Sequence, residues 1–374
     1  MSRSPLLQSP SFLAVALATL LSGGCDGGTD TTGETGGSGT STNTGGGGTT
    51  STTTEGGGGT TSTTTEGGGG TGGTTSTGGG GTGGTGGSSN ACAPQCAANQ
   101  GITSDCVAIT DNTGLDTYGL RMAQFNLSKP AALTNAIVAG LVDDGVTMNL
   151  PDCYLTGNGA FSWLLQFDSA TGKLKTGGAK PSADPTAGYC FVNEMLGNTL
   201  VSPLELDAAP DADGNFTVAM GGDVAVPIFL NTSGSSFIIL PLRDVRIVDA
   251  KLSADHNCIG KYNSNKLDPA ELCEPSGGIT RFENAAALDA AITLADADAI
   301  PISLLQGQSL CVLLTGEGEG TPPTCKKDPA TGKITSKGDW CQATNSPANA
   351  NCADAFKVTA GLAASAVKIT GDCQ

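Results

Sequence analysis

From residue 118 onward, apolar and polar residues alternate over short runs, and Gly, Pro, Asp or Asn breaks each run before a helix of ordinary length could form. This alternation predicts strands over 118–127, 161–167, 224–230, 237–242, 244–252, 309–314 and 356–369. Two turns share one pattern, Asp168-Ser-Ala-Thr-Gly172-Lys and Asp328-Pro-Ala-Thr-Gly332-Lys, with a glycine placed to take the left-handed conformation. A third turn, Asp211-Ala-Asp213-Gly214-Asn215, separates the apolar runs 204–206 and 216–218 and predicts a further hairpin.

Helical signals are few. Ser128 is placed to cap a helix starting near Pro130, with Leu133, Ile137, Val138 and Leu141 on one side and Gly145 just past its end. An Ala-rich segment, 284–295, predicts a second helix. Many strands, one or two short helices and frequent turns predict a mainly β fold: a disulfide-stapled β-sandwich, with the jelly roll as one form of it. Residues 316–351, dense in Gly, Pro, Lys and Cys, read as a stapled excursion from its edge.

The first 91 residues follow a different pattern. An apolar run at 12–21 lies behind Arg3 and ends in Ser-Gly-Gly-Cys25. Ten residues are too few to cross a bilayer, which needs about 20, but they suit the core of a signal peptide. Residues 26–91 are nearly all Gly, Thr and Ser, and an eleven-residue unit recurs unchanged at 49–59 and 60–70. Without large apolar side chains such a segment has nothing to offset its ordering entropy, so it predicts a disordered tether with a root-mean-square span of about 45 Å. Its glycine runs have no strand before them and no helix after them, so they are not phosphate loops. Its Thr and Ser content leaves O-glycosylation open on composition alone. The boundaries are therefore 1–24 for the signal peptide, 25–91 for the anchor and tether, and 92–374 for the exported domain.

The leader ending at Cys25 resembles a bacterial lipoprotein signal peptide, departing from that family's box at Ser22, where Leu, Val or Ile is usual. The resemblance implies cleavage before Cys25 and a diacylglyceryl, palmitate-type anchor on its thiol, with the membrane as partner. The other reading is a plain secretory signal that leaves Cys25 as an odd thiol. Asp26 retains lipoproteins at the inner membrane in some enteric bacteria, whereas a long spacer has its use at the outer membrane or cell surface, which is the expected location. As a layout, Cys25, the Gly/Thr repeats and the Cys-rich domain resemble lipoproteins of unassigned role in predatory and soil bacteria with large genomes. That similarity carries no catalytic residue.

Twelve cysteines follow Cys25: Cys92, Cys96, Cys106, Cys153, Cys190, Cys258, Cys273, Cys311, Cys325, Cys341, Cys352 and Cys373. An even count in an exported chain predicts six disulfides, and a single histidine with no Cys-x-x-Cys pair argues against zinc. Spacing leaves connectivity open; Cys258 with Cys273, and pairs among Cys325, Cys341 and Cys352, are local expectations. Seventeen of the 18 basic and 30 of the 35 acidic residues lie from Cys92 onward, a net charge of about −13 that disfavours a nucleic-acid partner. An extracellular or envelope ligand remains.

His256 is the only histidine, and between Asp255 and Asn257-Cys258 it reads as part of a turn entering a disulfide. Gly-x-Ser-x-Gly, His-Glu-x-x-His and Walker patterns are absent outside the tether. A carboxylate pair is always available among 30 acidic residues. Trp163 reads as core, and Trp340 as a contact residue. Asp211, Asp213 and Asn215 match the first half of a calcium loop, but Phe216 occupies the place of its turn glycine, so a solvated turn is favoured and calcium is the one cofactor to test. The sequence thus favours a non-enzymatic, surface-displayed binding or structural module, with an anchored glycosidase-like hydrolase as the alternative.

Overall fold

The computed structural model describes residues 92, 106–150, 153, 155–276 and 278–373. Cys25, Cys96, the leader and the tether lie outside the described residues. The fold is mainly β, as the alternation predicts. Ten strands carry its main sheet: β1 (Thr117–Lys129), β2 (Ser162–Asp168), β3 (Lys173–Ala179), β4 (Tyr189–Phe191), β5 (Leu204–Asp207), β6 (Gly222–Phe229), β7 (Phe237–Val248), β8 (Ala286–Thr293), β9 (Ala355–Ala366) and β10 (Ile369–Asp372). Their order is β6-β7-β8-β9-β1-β2-β3-β4-β10, with β5 added beside β3. All these pairings are antiparallel except that of β4 with β10.

The sheet curls until its first strand meets its far half. An added Cβ at Gly178 in β3 would stand 2.4 Å from the Pro227 ring of β6, and one at Gly222 in β6 would stand 2.6 Å from Leu204 of β5. Alternate residues of the strands face the enclosed core: Trp163, Leu165 and Phe167 of β2 meet Val224 and Val226 of β6, Ile247 of β7 and Leu288 and Ile292 of β8. Leu164, between them, points to a second core with Tyr189, Phe191, Tyr262 and Phe282. Trp163 is buried as expected, its Nε1 donating to Thr176 Oγ1 at 2.8 Å.

Several local expectations change. Within 284–295, residues 286–293 form strand β8 rather than a helix, because Ala286, Leu288, Ala290 and Ile292 alternate into the core between two long neighbours, which overrides alanine's helix propensity. Residues 309–314 are mostly helix α3 (Leu310–Thr315), not strand; Ser309 Oγ accepts the Val312 N–H, and Gly316 ends it at φ +71°. Between them lies α2 (Leu294–Asp298), capped by Thr293. The helix expected near Pro130 starts later, as α1 (Ala136–Val146), and takes in Gly145. Ser128 still belongs to β1, where its hydroxyl meets Thr359 of β9, and Asn135 Oδ1 accepts the Val138 N–H instead. Runs 237–242 and 244–252 join through Arg243 and Asp244 into β7, and only its short continuation Ala250–Lys251 is separate.

The third turn is no hairpin. β5 pairs with β3, whereas Asn215–Phe216 pairs with Ala250–Lys251, so the turn bridges two sheets. The turns at Gly172 and Gly332 behave as expected: φ is +65° and +68°, and each turn's Asp, Asp168 or Asp328, accepts two backbone N–H groups.

Disulfides staple the sheet. Cys92–Cys273, Cys106–Cys258, Cys190–Cys373, Cys311–Cys325 and Cys341–Cys352 are bonded, and Cys153 is disulfide-bonded too. Cys341 with Cys352 follows the local expectation. Cys258 does not pair with Cys273: the chain enters the Cys258 turn beside the segment of Cys106, bringing distant cysteines closer than sequence neighbours. Cys325 likewise takes Cys311, at the buried start of α3, and not Cys341 or Cys352.

Candidate functional site

Residues 253–258 make a turn closed by side-chain and backbone hydrogen bonds. Ser253 Oγ donates to Asp255 Oδ1 at 2.5 Å and accepts the N–H groups of Asn257 and Cys258. His256 donates its N–H to Ser253 O and offers its carbonyl to Asn112 Nδ2 at 2.9 Å. Asn257 Oδ1 accepts the N–H of Asn112, and Cys258 is bonded to Cys106. The turn therefore fixes His256 at φ +59°, a left-handed conformation that a residue with a Cβ holds only when its surroundings impose it.

So held, the imidazole lies on an aromatic column. Its centroid is 4.2 Å from that of Tyr118, whose other neighbour, Phe167, is 5.2 Å away, and Phe216 meets Phe167 edge-on. His256 Nδ1 is buried without a hydrogen-bond partner among the described residues. Whether that nitrogen carries a hydrogen or a lone pair, its lost hydration is uncompensated, at a cost of about 1–3 kcal/mol. Burial pushes the Tyr118 hydroxyl above its usual range, against the pull of its hydrogen bond to Ser169.

A cavity of about 200 Å³ opens over this column, bounded by the Asp168–Gly172 turn, the Asp211–Gly214 turn and the His256 turn. Two features that sequence treats separately, the sole histidine and the candidate calcium loop, thus share one site. Within that loop Asp211 Oδ1 accepts the N–H groups of Asp213 and Asn215, and Asn215 Nδ2 also donates to the carboxylate. These hydrogen bonds, the backbone N–H of Asn215 foremost, hold the Asp211 carboxyl below its usual range. Its oxygens face donors of their own turn, the arrangement of an Asx turn.

Ser253 is the only hydroxyl of the His256 turn, and its proton already goes to Asp255. The turn therefore lacks the serine–imidazole bond that nucleophilic catalysis requires. A second polar cluster lies at the end of α1. Partial burial, followed by the charge of Asp143, raises the Asp144 carboxyl above its usual range, with Arg281 opposing. Arg281 is buried and bonds Glu274 Oε2 at 2.5 Å and Thr147 Oγ1 at 3.0 Å. Spacing gives no hint of this group, since Asp144 and Glu274 lie 130 positions apart.

Trp340 stands elsewhere, in a short strand, Trp340–Cys341, beside β9. Its Nε1 donates to Asn345 Oδ1 at 3.0 Å, and Lys357 Nζ covers one face of the ring at 4.2 Å. The two groups of metal-ligand type, Asp298-Cys311-Cys325 and Cys341-Cys352-Asp354, each contain both sulfurs of one disulfide and so offer no thiolate. No helix among the described residues is long and apolar enough to cross a membrane. No protein-family model matches the chain, and no curated protein or solved structure is detectably similar to it.

Proposed function

We propose that this chain is an envelope lipoprotein, anchored through Cys25 at the outer membrane or cell surface, whose stapled β domain binds a ligand and does not transform one. The anchor rests on the apolar leader, the Ser-Gly-Gly-Cys25 junction and the Gly/Thr spacer. The observation that carries the binding half is the pocket at His256: an aromatic column, two turn-clamped carboxylates, and a serine whose proton is already committed. Such a surface is preorganised for recognition but holds no activated nucleophile.

The anchor is tested by the intact mass of the protein from its own membranes, with thiols alkylated before and after reduction. The expected mass begins at Cys25 and carries acyl chains, with the later cysteines alkylated only after reduction. An unacylated mass sinks the anchor.

One observation favours a second reading, an anchored hydrolase using a carboxylate pair. Asp144, with its raised carboxyl, has the character of a general acid, and Glu274, bonded to Arg281, is the second carboxylate of the cluster. Profiling the purified protein on glycans, esters and peptides separates the two. Turnover abolished by Asp144→Asn would replace the binding reading with the hydrolytic one.

A further inference from the structure

The lining of the His256 pocket narrows the ligand to one chemical class, an inference that rests on the binding reading above. Asp168 and Asp211 both stand in the lining, and no lysine or arginine does. Each carboxylate is fixed by its own turn: Asp168 Oδ1 accepts the N–H groups of Ala170 and Thr171, and Asp211 Oδ1 those of Asp213 and Asn215. Hydrogen bonds of this kind hold a carboxylate in place without neutralising it. Lys251 acts on Asp211 only from outside the lining.

The apolar part of the pocket is aromatic. Tyr118 covers one face of the His256 ring, and His256 ends the column that runs back to Phe167. Aromatic faces carry the negative part of the ring quadrupole and attract cations, most strongly those that shed water easily. A hard metal ion is a poorer fit, because calcium needs six to eight converging oxygens and Asp211 has turned Oδ1 toward three N–H groups. The cavity, about 200 Å³, suits a small head group.

We propose that this pocket binds a small organic cation, an alkylated ammonium group, seated over the His256–Tyr118 column with Asp168 and Asp211 as its counter-charges.

The test uses the full chain purified without a histidine tag, so that the ring resonances of His256, the sole histidine, report on the pocket alone. Choline chloride is titrated against its uncharged tert-butyl analogue, in which carbon replaces the ammonium nitrogen. The expected result is a saturable shift of the His256 resonances with choline and none with the analogue. Asp168→Asn and Asp211→Asn keep the acceptor oxygen that each turn needs while removing the charge, and each should weaken choline binding about fivefold or more. Equal binding of the analogue, unchanged affinity in both variants, or a response to glucose or calcium chloride in place of choline overturns the proposal. So does the absence of any shift, which would leave the envelope-binding reading to be decided by its own mass and turnover measurements.

Discussion

The imidazole of His256 lies 4.2 Å from the ring of Tyr118 and 23° from parallel, although 138 positions separate the two residues. Neither sets this contact alone. Tyr118 is fixed in β1 by pairing with Phe167 of β2, and His256 is fixed by a turn bonded to Asn112 and stapled through Cys258. The stack is the point where the main sheet and the 253–258 turn agree.

Its energetic weight is testable by substitutions that respect or violate the left-handed backbone at His256. Asparagine tolerates that conformation, so His256→Asn should lose the ring contact alone, about 0.5–1.5 kcal/mol. A β-branched residue adds strain of about 1–3 kcal/mol, so His256→Val should be clearly worse. Denaturant unfolding of the oxidised protein measures both, and equal losses would mean that the turn relaxes and imposes no conformation.

Two disulfides are nested, and their contributions should not add. Cys92–Cys273 encloses Cys106–Cys258, with 14 positions between Cys92 and Cys106 and 15 between Cys258 and Cys273. With one bridge intact, the second closes only a short loop in the unfolded chain and contributes about 3–4 kcal/mol by loop entropy. With both gone, the last bridge lost closes a long loop and costs about 5 kcal/mol more. Paired Cys→Ala variants should therefore show a double loss greater than the sum of the two single losses. Strict additivity would place the stabilisation in native contacts rather than in the unfolded chain.

What could be read from sequence, and what could not, follows the range of the interaction responsible. The turns at Gly172 and Gly332 were legible because each is closed by its own aspartate and glycine. Strand β8 was not, because eight alanine-rich residues carry a helical propensity that only their neighbours β7 and β9 override. Helix α3 was not legible either, because its apolar run Leu310-Cys-Val-Leu-Leu314 suits a buried strand equally well and only the caps Ser309 and Gly316 distinguish the two. The site shows the same division. His256 and Asp211 each stand out as residues, yet their meeting depends on Leu252 donating to Gly214 O across two turns, a contact that no local pattern encodes.

Closure of the curled sheet depends on a missing side chain. An added Cβ at Gly178 would fall 2.4 Å and 2.6 Å from two carbons of the Pro227 ring, and Pro227 sits in β6, whose one ladder partner among the described residues is β7. Gly178→Ala should push β6 away and cost about 1–3 kcal/mol as overpacking. Loss should appear first as faster amide exchange in β6 and β7, with β1 and β2 protected. Uniform loss across all strands would show that the seam does not open separately.

Acidification should act in opposite directions at two aspartates. Partial burial raises the Asp298 carboxyl, but Lys327 Nζ at 2.8 Å, the N–H of Cys325 and Ser309 Oγ outweigh burial and hold it below its usual range. Its folded value is depressed, so its contribution is present above the unfolded value of about 3.9 and is lost as pH falls through the folded one. Asp144 has the reverse sign: its folded value is raised, so ionisation at neutral pH weakens the fold, and stability is recovered as pH falls through that value toward about 3.9. Asp298→Asn should therefore destabilise at pH 7, with the deficit shrinking in acid. Asp144→Asn, which keeps an acceptor for Asn158 Nδ2, should stabilise at pH 7, with the gain vanishing in acid. Unfolding free energies of both variants and the parent across this range decide the matter. A gain at Asp144 that persists below the unfolded value would show that carboxyl desolvation is not its cause.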